Sequence, residues 1–308
     1  MVEKVEIPMK KFIDCANKNF FNYICGKLLG DGTITMQRGR KPRFQFIHSA
    51  KDYEWAVHCF QKLSTFLPLN PPKYKKSVDS RVKQGFTESY YVQSRTADLV
   101  TYLESIWYKD RKKVLPMGFI NKYLDEKALS WWYQDDGHLK KEGNLPRKII
   151  LSTDNFTNEE NQQLIKLLQQ KFCLYFHLDN QNRLVIYDQP QIYYFYRLIQ
   201  PYMHQSMYRK MIAFSTNTNH EIKSKRTTIY LPEHIKLLKP TNEINSNLDQ
   251  LSNIQKSVNS RESYLYFYKN VISPILQSNS ETKSYQIIVD KKHWKTINEI
   301  RSITGLNN

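Results

Sequence analysis

The sequence predicts an α+β fold of two pseudo-symmetric units, each running helix, two strands, helix, two strands, helix, with a smaller extension behind them. Three observations predict it. Two apolar, helix-like runs, ICGKLLGDG (Ile24 to Gly32) and LSWWYQDDG (Leu129 to Gly137), each end in an acidic residue and a glycine, and Asp31 and Asp136 hold matching places in them. The same order of elements follows each run, so a whole unit recurs rather than a short motif. The 308 residues are 40% hydrophobic and 13% aromatic, enough for two domains with real cores. The boundaries read as an N-terminal arm at 1–17, units at 18–115 and 116–214, and a linker with an extension at 215–308.

In the first unit, Phe20 to Leu29 is a helix with apolar and small residues on nearly every side. Gly26 and Gly30 are four apart and share one face. Each costs about 1 kcal/mol relative to alanine inside a helix, so two on one face point to close approach of another backbone. Gly30 and Gly32 also read as helix terminators. Thr33 to Met36 and Arg43 to His48 are strands around the basic turn QRGRKP, and the alternation of Phe44 and Phe46 with Arg43, Gln45 and Ile47 buries one face. Asp52 to Leu67 is a helix closed by Pro68, Pro71 and Pro72. Extended chain leads to Ser94, and a helix covers Ala97 to Trp107.

In the second unit, Asp125 caps the helix that contains Ala128 to Asp135. Strands follow at His138 to Lys141 and Lys148 to Ser152, then a helix from Thr157 to about Lys171. Phe172 to Leu178 and Arg183 to Tyr187 form a hairpin around DNQN, and Gln191 to Tyr202 is the last helix. Trp131 stands where the first run has Gly26, and Asp135 where it has Gly30. These bulky residues point to Ser130 and Gln134 as the surface that faces the first helix.

The 46 Lys and Arg against 29 Asp and Glu give a formal charge of +17, a surface suited to a polyanion such as nucleic acid. The four cysteines, at 15, 25, 59 and 173, form no CxxC pair, which argues against a zinc knuckle or a disulfide framework and for reduced thiols. The segment MVEKVEIPMKKFIDC lacks the apolar core of a signal peptide, and no run of about 18 apolar residues exists. The expectation is an intracellular protein with no membrane partner, cytoplasmic in a bacterium or phage-infected cell, or in an organelle.

The two runs, with the order of elements after each, resemble the LAGLIDADG homing endonucleases in their two-repeat, single-chain form, over about residues 18 to 213. The resemblance implies two signature helices packed side by side and a saddle-shaped sheet surface lying in the DNA major groove. It places one acid from each helix near the scissile phosphates, here Asp31 and Asp136. It implies Mg²⁺ held by Asp31 and Asp136, with backbone oxygens of Gly30 and Asp135 as further ligands. Paired carboxylates attract hard divalent cations, whose charge activates water and stabilises the leaving 3′ oxygen. Arg95, and Lys210 in the segment MYRKM, are candidate catalytic assistants, with Arg209 not separable from Lys210.

Candidate DNA contacts in the first unit are Gln37, Arg38, Arg40, Lys41, Arg43, Gln45, Lys73, Lys75, Lys76, Arg81 and Lys83. In the second they are Lys140, Lys141, Arg147, Lys148 and Arg183. The basic side chains suit guanine edges or phosphates, and the glutamines suit adenine. The expected partner is double-stranded DNA, an asymmetric target of roughly 20 base pairs bound by a monomer and cut on both strands. The alternatives on the same fold are a maturase that binds intron RNA and a DNA-binding regulator that does not cleave. Both signature acids are present, which favours cleavage.

Residues 215–308 lie beyond the resemblance. Thr216 to Arg226 reads as a linker, Lys225 to Leu238 as a short strand and then a helix, and Thr241 to Arg261 as a helix or a tether. Tyr285 to Val289 is a strand and Lys291 to Ser302 a helix. The two strand-then-helix pieces weakly resemble halves of a ribbon-helix-helix element. A small DNA-binding module is one reading; a helix-turn-helix-like tail, a cap packed on the two units and a disordered segment are the others.

Overall fold

The computed structural model describes residues 18–143, 145–212, 226–278 and 281–306. The arm read at 1–17 lies outside the described residues, as does the linker apart from Arg226. The first unit is α1 (Lys18–Leu29), β1 (Thr33–Thr35), β2 (Arg43–Ser49), α2 (Tyr53–Ser64), β3 (Lys73–Val78), β4 (Phe86–Gln93) and α3 (Asp98–Trp107). A short hairpin, β5 (Tyr108–Lys109) and β6 (Lys112–Lys113), and helix α4 (Met117–Tyr123) join it to the second unit; the sequence reading had neither. The second unit is α5 (Glu126–Asp136), β7 (Gly137–Glu142), β8 (Leu145–Leu151), α6 (Asn158–Phe172), β9 (His177–Leu178), β10 (Leu184–Ile186) and α7 (Gln189–Ile199). The two antiparallel sheets share one topology, β1-β2-β4-β3 and β7-β8-β10-β9. The predicted strand from Phe172 shrinks to two residues, because α6 runs on to Phe172 and closes with Cys173 at φ 57°.

Helices α1 and α5 pack side by side at the centre, and glycine sets their separation. A Cβ on Gly26 would stand 2.4 Å from the Ala128 carbonyl oxygen and 2.8 Å from Trp131 Cβ, and one on Gly30 would stand 2.6 Å from Asp135 Cβ. The facing surface of α5 is therefore Ala128, Trp131 and Asp135, not Ser130 and Gln134. Trp131 fits because only its Cβ enters the contact. Its ring swings aside onto Tyr23 and Trp55, with centroids 4.3 and 5.3 Å away. Gln134 turns to another neighbour, donating to the Tyr202 carbonyl (3.2 Å) and accepting from the His204 N–H (2.7 Å).

The extension holds β11 (Arg226–Pro232), α8 (Pro240–Leu248), α9 (Leu251–Asn259), α10 (Arg261–Phe267), α11 (Ser273–Gln277), β12 (Thr282–Ile288) and α12 (Lys291–Thr304). The helix expected by Leu238 starts only at Pro240. Proline disfavours the helical conformation in the residue before it and suits the first turn itself. The extension is fixed on α7: Tyr268 stacks on Tyr194 at 3.7 Å, and Arg261 donates to the carbonyls of Arg197 (2.7 Å) and Leu198 (3.1 Å). Among the described residues no helix is long and apolar enough to cross a membrane.

Candidate active site

The C-terminal ends of α1 and α5 bring the two signature acids together, Asp31 just past α1 and Asp136 as the last residue of α5. Asp31 keeps a side chain 32% exposed, and its Oδ2 lies 3.1 Å from His48 Nδ1. His48 comes from the inward face of β2 and is buried. Its Nε2 lies 2.7 Å from Lys27 Nζ. An ammonium can only donate, so Nε2 accepts and the imidazole directs its Nδ1–H at Asp31.

Lys27 also donates to Asp135 Oδ1 at 2.8 Å, and both side chains are fully buried. Trp55 Nε1–H donates to the same oxygen (2.9 Å), and the Asp31 N–H donates to Asp135 Oδ2 (3.2 Å). Burial alone would push the Lys27 pKa down, but the charge of Asp135 outweighs it and holds the ammonium above its ordinary value. Burial alone would raise Asp31. The hydrogen bond from His48, with the nearby Lys27 and Lys210, outweighs it and holds Asp31 below the usual carboxylate range.

Asp136 goes the other way. Burial, then the fields of Asp31 and Asp135, push it up to about 7, against the opposing pull of Lys113 and Lys210. Lys210 donates to the carbonyls of Gln134 (2.6 Å) and Asp135 (3.0 Å), and burial lowers its pKa. Lys113 donates to the Gly32 carbonyl (2.8 Å), and burial pushes it down to about 8. The two lysines thus approach the two helix ends, each after the last helix of its own unit.

Sequence reasoning found Lys210 and missed Lys113, His48 and Lys27. The signal for Lys113 was the parallel between YKDRKK after α3 and YRK after α7. The hairpin that delivers it turns on Asp110 and Arg111, at φ 48° and 63°. Paired left-handed residues make a two-residue hairpin turn, normally announced by Asn-Gly or Asp-Gly. Arg95 is exposed just beyond β4.

Asp31, His48 and Asp135 offer ligand atoms all within 4.8 Å of one another, a spacing that would suit a cation. The chemistry does not. Three donors already satisfy the Asp135 carboxylate, one of them a buried ammonium. The Asp135 carboxylate is therefore a partner of Lys27, and its backbone oxygen, the expected ligand, accepts from Lys210. Gly30 has a steric role here, making room for the Asp135 carboxylate. Asp31 and Asp136 remain as two hard oxygen donors at the helix ends, with the charge of Asp31 helping to push Asp136 up.

The sheet register sorts the candidate DNA contacts. Arg43, Gln45 and Ile47 point away from the core while Phe44, Phe46 and His48 point in. Through the pairings Ile47↔Tyr91 and Lys73↔Tyr91, Lys73 and Lys75 join the outward face. Lys76 falls on the opposite face of β3 and caps the Phe86 ring at 3.6 Å, exposed like Lys73 and Lys75. In the second sheet Lys140 pairs with Lys148 on the side of His138, Ile150 and Val185, where Arg183 also lies. Gln37, Arg38, Arg40 and Lys41 are exposed between β1 and β2, and Lys83 and Lys141 are exposed as well. Arg81, Arg147 and Arg183 are already paired with Asp79, Glu142 and Asp179.

The model of the LAGLIDADG DNA endonuclease family matches residues 21–189. The intron-encoded endonuclease ai4 of Dictyostelium discoideum is 35% identical over 131 residues, covering 40% of this chain and 77% of that protein. The cytochrome b mRNA maturase bI2 of Debaryomyces hansenii is 26% identical over 204 residues, covering 63% of this chain and 74% of that protein. The solved structure of the homing endonuclease I-WcaI bound to its DNA recognition sequence shares the fold, with a TM-score of 0.55 and 23% identity over 64% of this chain and 88% of that one. Because the family match spans more than half of the sequence and runs through both acid-ended helices, the chain belongs to the LAGLIDADG DNA endonuclease family.

Proposed function

We propose that the protein is a site-specific homing endonuclease that cuts both strands of a long, asymmetric double-stranded DNA target by metal-dependent hydrolysis. The observation that carries this reading is the meeting of Asp31 and Asp136 at the ends of two central helices, with a basic sheet face on each side. Asp31 and Asp136 would hold the divalent cation, with Mg²⁺ as the ion suited to oxygen donors. When bound, it supplies charge near the scissile phosphate and a more acidic water. Lys113 and Lys210 stand close enough to both acids to stabilise negative charge developing on either strand. His48 holds the Asp31 carboxylate in place. The outward faces of the two sheets differ in sequence, which suits unequal half-sites read by one chain.

The test is cleavage of a randomised-site DNA library with Mg²⁺ by the wild type, Asp31→Ala and Asp136→Ala. A recurrent long site is expected, with cutting reduced at least about a thousand-fold by either substitution. Undiminished cutting by both variants would sink the active-site assignment. The maturase relative supports a second reading, in which the chain binds its host intron RNA. Faster splicing of that intron by the Asp31→Ala protein would establish it beside cleavage or in its place.

A further inference from the structure

The extension builds a two-stranded ribbon and leaves one face of it bare. Strands β11 and β12 pair antiparallel over seven positions, from Arg226↔Ile288 to Pro232↔Thr282. The inner face, with Tyr285 and Ile287 buried and Ile229 and Leu231 packed beside them, covers Val289 and Trp294. A two-stranded sheet is marginal by itself, and this one is clamped. The buried Asn245 donates to the Ile288 carbonyl and accepts from the Asp290 N–H, both at 2.9 Å, and the Tyr285 hydroxyl donates to the Ile235 carbonyl at 3.0 Å.

The outer face carries Arg226, Thr228, Tyr230, Ser284, Gln286 and Ile288, all exposed. Its central pairs are Thr228↔Gln286 and Tyr230↔Ser284, with Tyr230 66% exposed. No carboxylate lies on this face within the two strands. A solvent-facing surface kept only for solubility carries interspersed charges of both signs, typically lysine and glutamate. These side chains instead match base edges: arginine for guanine, glutamine for adenine, hydroxyls for either, and an aliphatic group for the thymine methyl. Lys283 is exposed at the inner-face register opposite Leu231, and Lys291 and Lys295 are exposed at the start of α12, which packs beneath the inner face through Trp294, so the module also carries positive charge for phosphates.

We propose that this ribbon is a second reader of double-stranded DNA, seated in the major groove that flanks the segment held by the two main sheets. The major groove admits a two-stranded ribbon, and one arginine with no acid on the face gives the complementary charge. The extension is fixed on α7 through Tyr268, Tyr194 and Arg261, so the ribbon engages DNA already held by the same chain. This inference rests on the DNA-binding reading above, and not on cleavage.

The experiment compares binding of the full chain, with EDTA, to its selected target carrying long flanks and to the same target trimmed to the segment covered by the main sheets. The wild type is expected to bind the flanked DNA at least about ten-fold tighter. The triple variant Thr228→Ala/Tyr230→Ala/Gln286→Ala is expected to lose that gain while cutting the trimmed target at the wild-type rate. The milder Arg226→Ala, which keeps the ribbon's central pairs, is expected to lose part of it. Equal wild-type affinity for flanked and trimmed DNA overturns the proposal, as does a flank gain that survives in the triple variant. A triple-variant loss seen only with intron RNA overturns it in favour of RNA. Failure of the wild type to bind any DNA specifically overturns the endonuclease reading as well, so the two failures are distinguishable.

Discussion

The two central helix ends carry the same acid in the same register and treat it differently. At the first, His48 fixes Asp31 and its pKa is held low. At the second, burial and two neighbouring carboxylates push Asp136 up to about 7. The difference begins with two exchanges between the helices. Lys27 stands where the second has Trp132, and Asp135 where the first has Gly30. Together they place a buried ion pair on one side of the pseudo-two-fold axis. A duplicated backbone can thus stay symmetric while its side chains give one acid a fixed charge and leave the other to titrate.

Lys27→Met attacks that comparison at its root. It leaves Asp135 buried without its cation, at an expected cost of about 3–5 kcal/mol in urea denaturation. Adding Asp135→Leu is expected to recover most of the loss. A single variant as stable as the wild type would mean that the ion pair does not hold the helices.

Lys113→Met probes the symmetry between the two lysines. Its expected effect is a fall of about a hundred-fold in kcat, similar to that of Lys210→Met. A large effect at Lys210 with none at Lys113 would make the site one-sided.

Proton linkage sharpens the contrast between the acids. The native value for Asp136 lies above its unfolded value, which is about 4. Between the two the native state holds more protons, so metal-free stability falls as pH rises through that window. Asp31 behaves oppositely: its contribution is present above the unfolded value and is lost as pH falls through the depressed native one. Thermal melts with and without Mg²⁺ read both trends. Mg²⁺ is expected to stabilise more at pH 8 than at pH 6, and Asp136→Asn to remove that difference. A Mg²⁺ effect independent of pH would exclude Asp136 as the titrating ligand. The smallest effect belongs to Arg95→Ala, expected to change the cleavage rate by no more than about two-fold, as surface substitutions do.

Much of the fold was legible because it rests on local pattern. Acid-glycine helix ends, the alternation around Phe44 and Phe46, and the Asp125 and Thr157 caps are each written within a few residues. The polar network was not legible, because its members come from separate elements. Lys27 lies inside a helix run, His48 ends a strand, and Asp135 reads as the counterpart of Gly30 with a backbone oxygen for a metal. Only the packing of α1 on α5 and of β2 beneath them brings the three within hydrogen-bonding reach. The facing surface was misread for a related reason. Residue volume said that Trp131 could not sit at a close contact, but a side chain meets its neighbour first through Cβ, and the ring had somewhere else to go.

The fit of Gly30 against Asp135 also decides who can partner whom. Two copies of the first unit would set Gly30 against Gly30 and bury two Lys27 ammoniums with no carboxylate opposite. Two copies of the second would press Asp135 against Asp135, with Trp132 standing where the lysine is needed. Each unit is complete only across from the other. The chain is an obligate couple of unlike halves, which cannot be cut back to a self-pairing dimer of either. Halves produced apart are expected to pair with one another in preference to themselves, which co-purification of separately tagged halves would read.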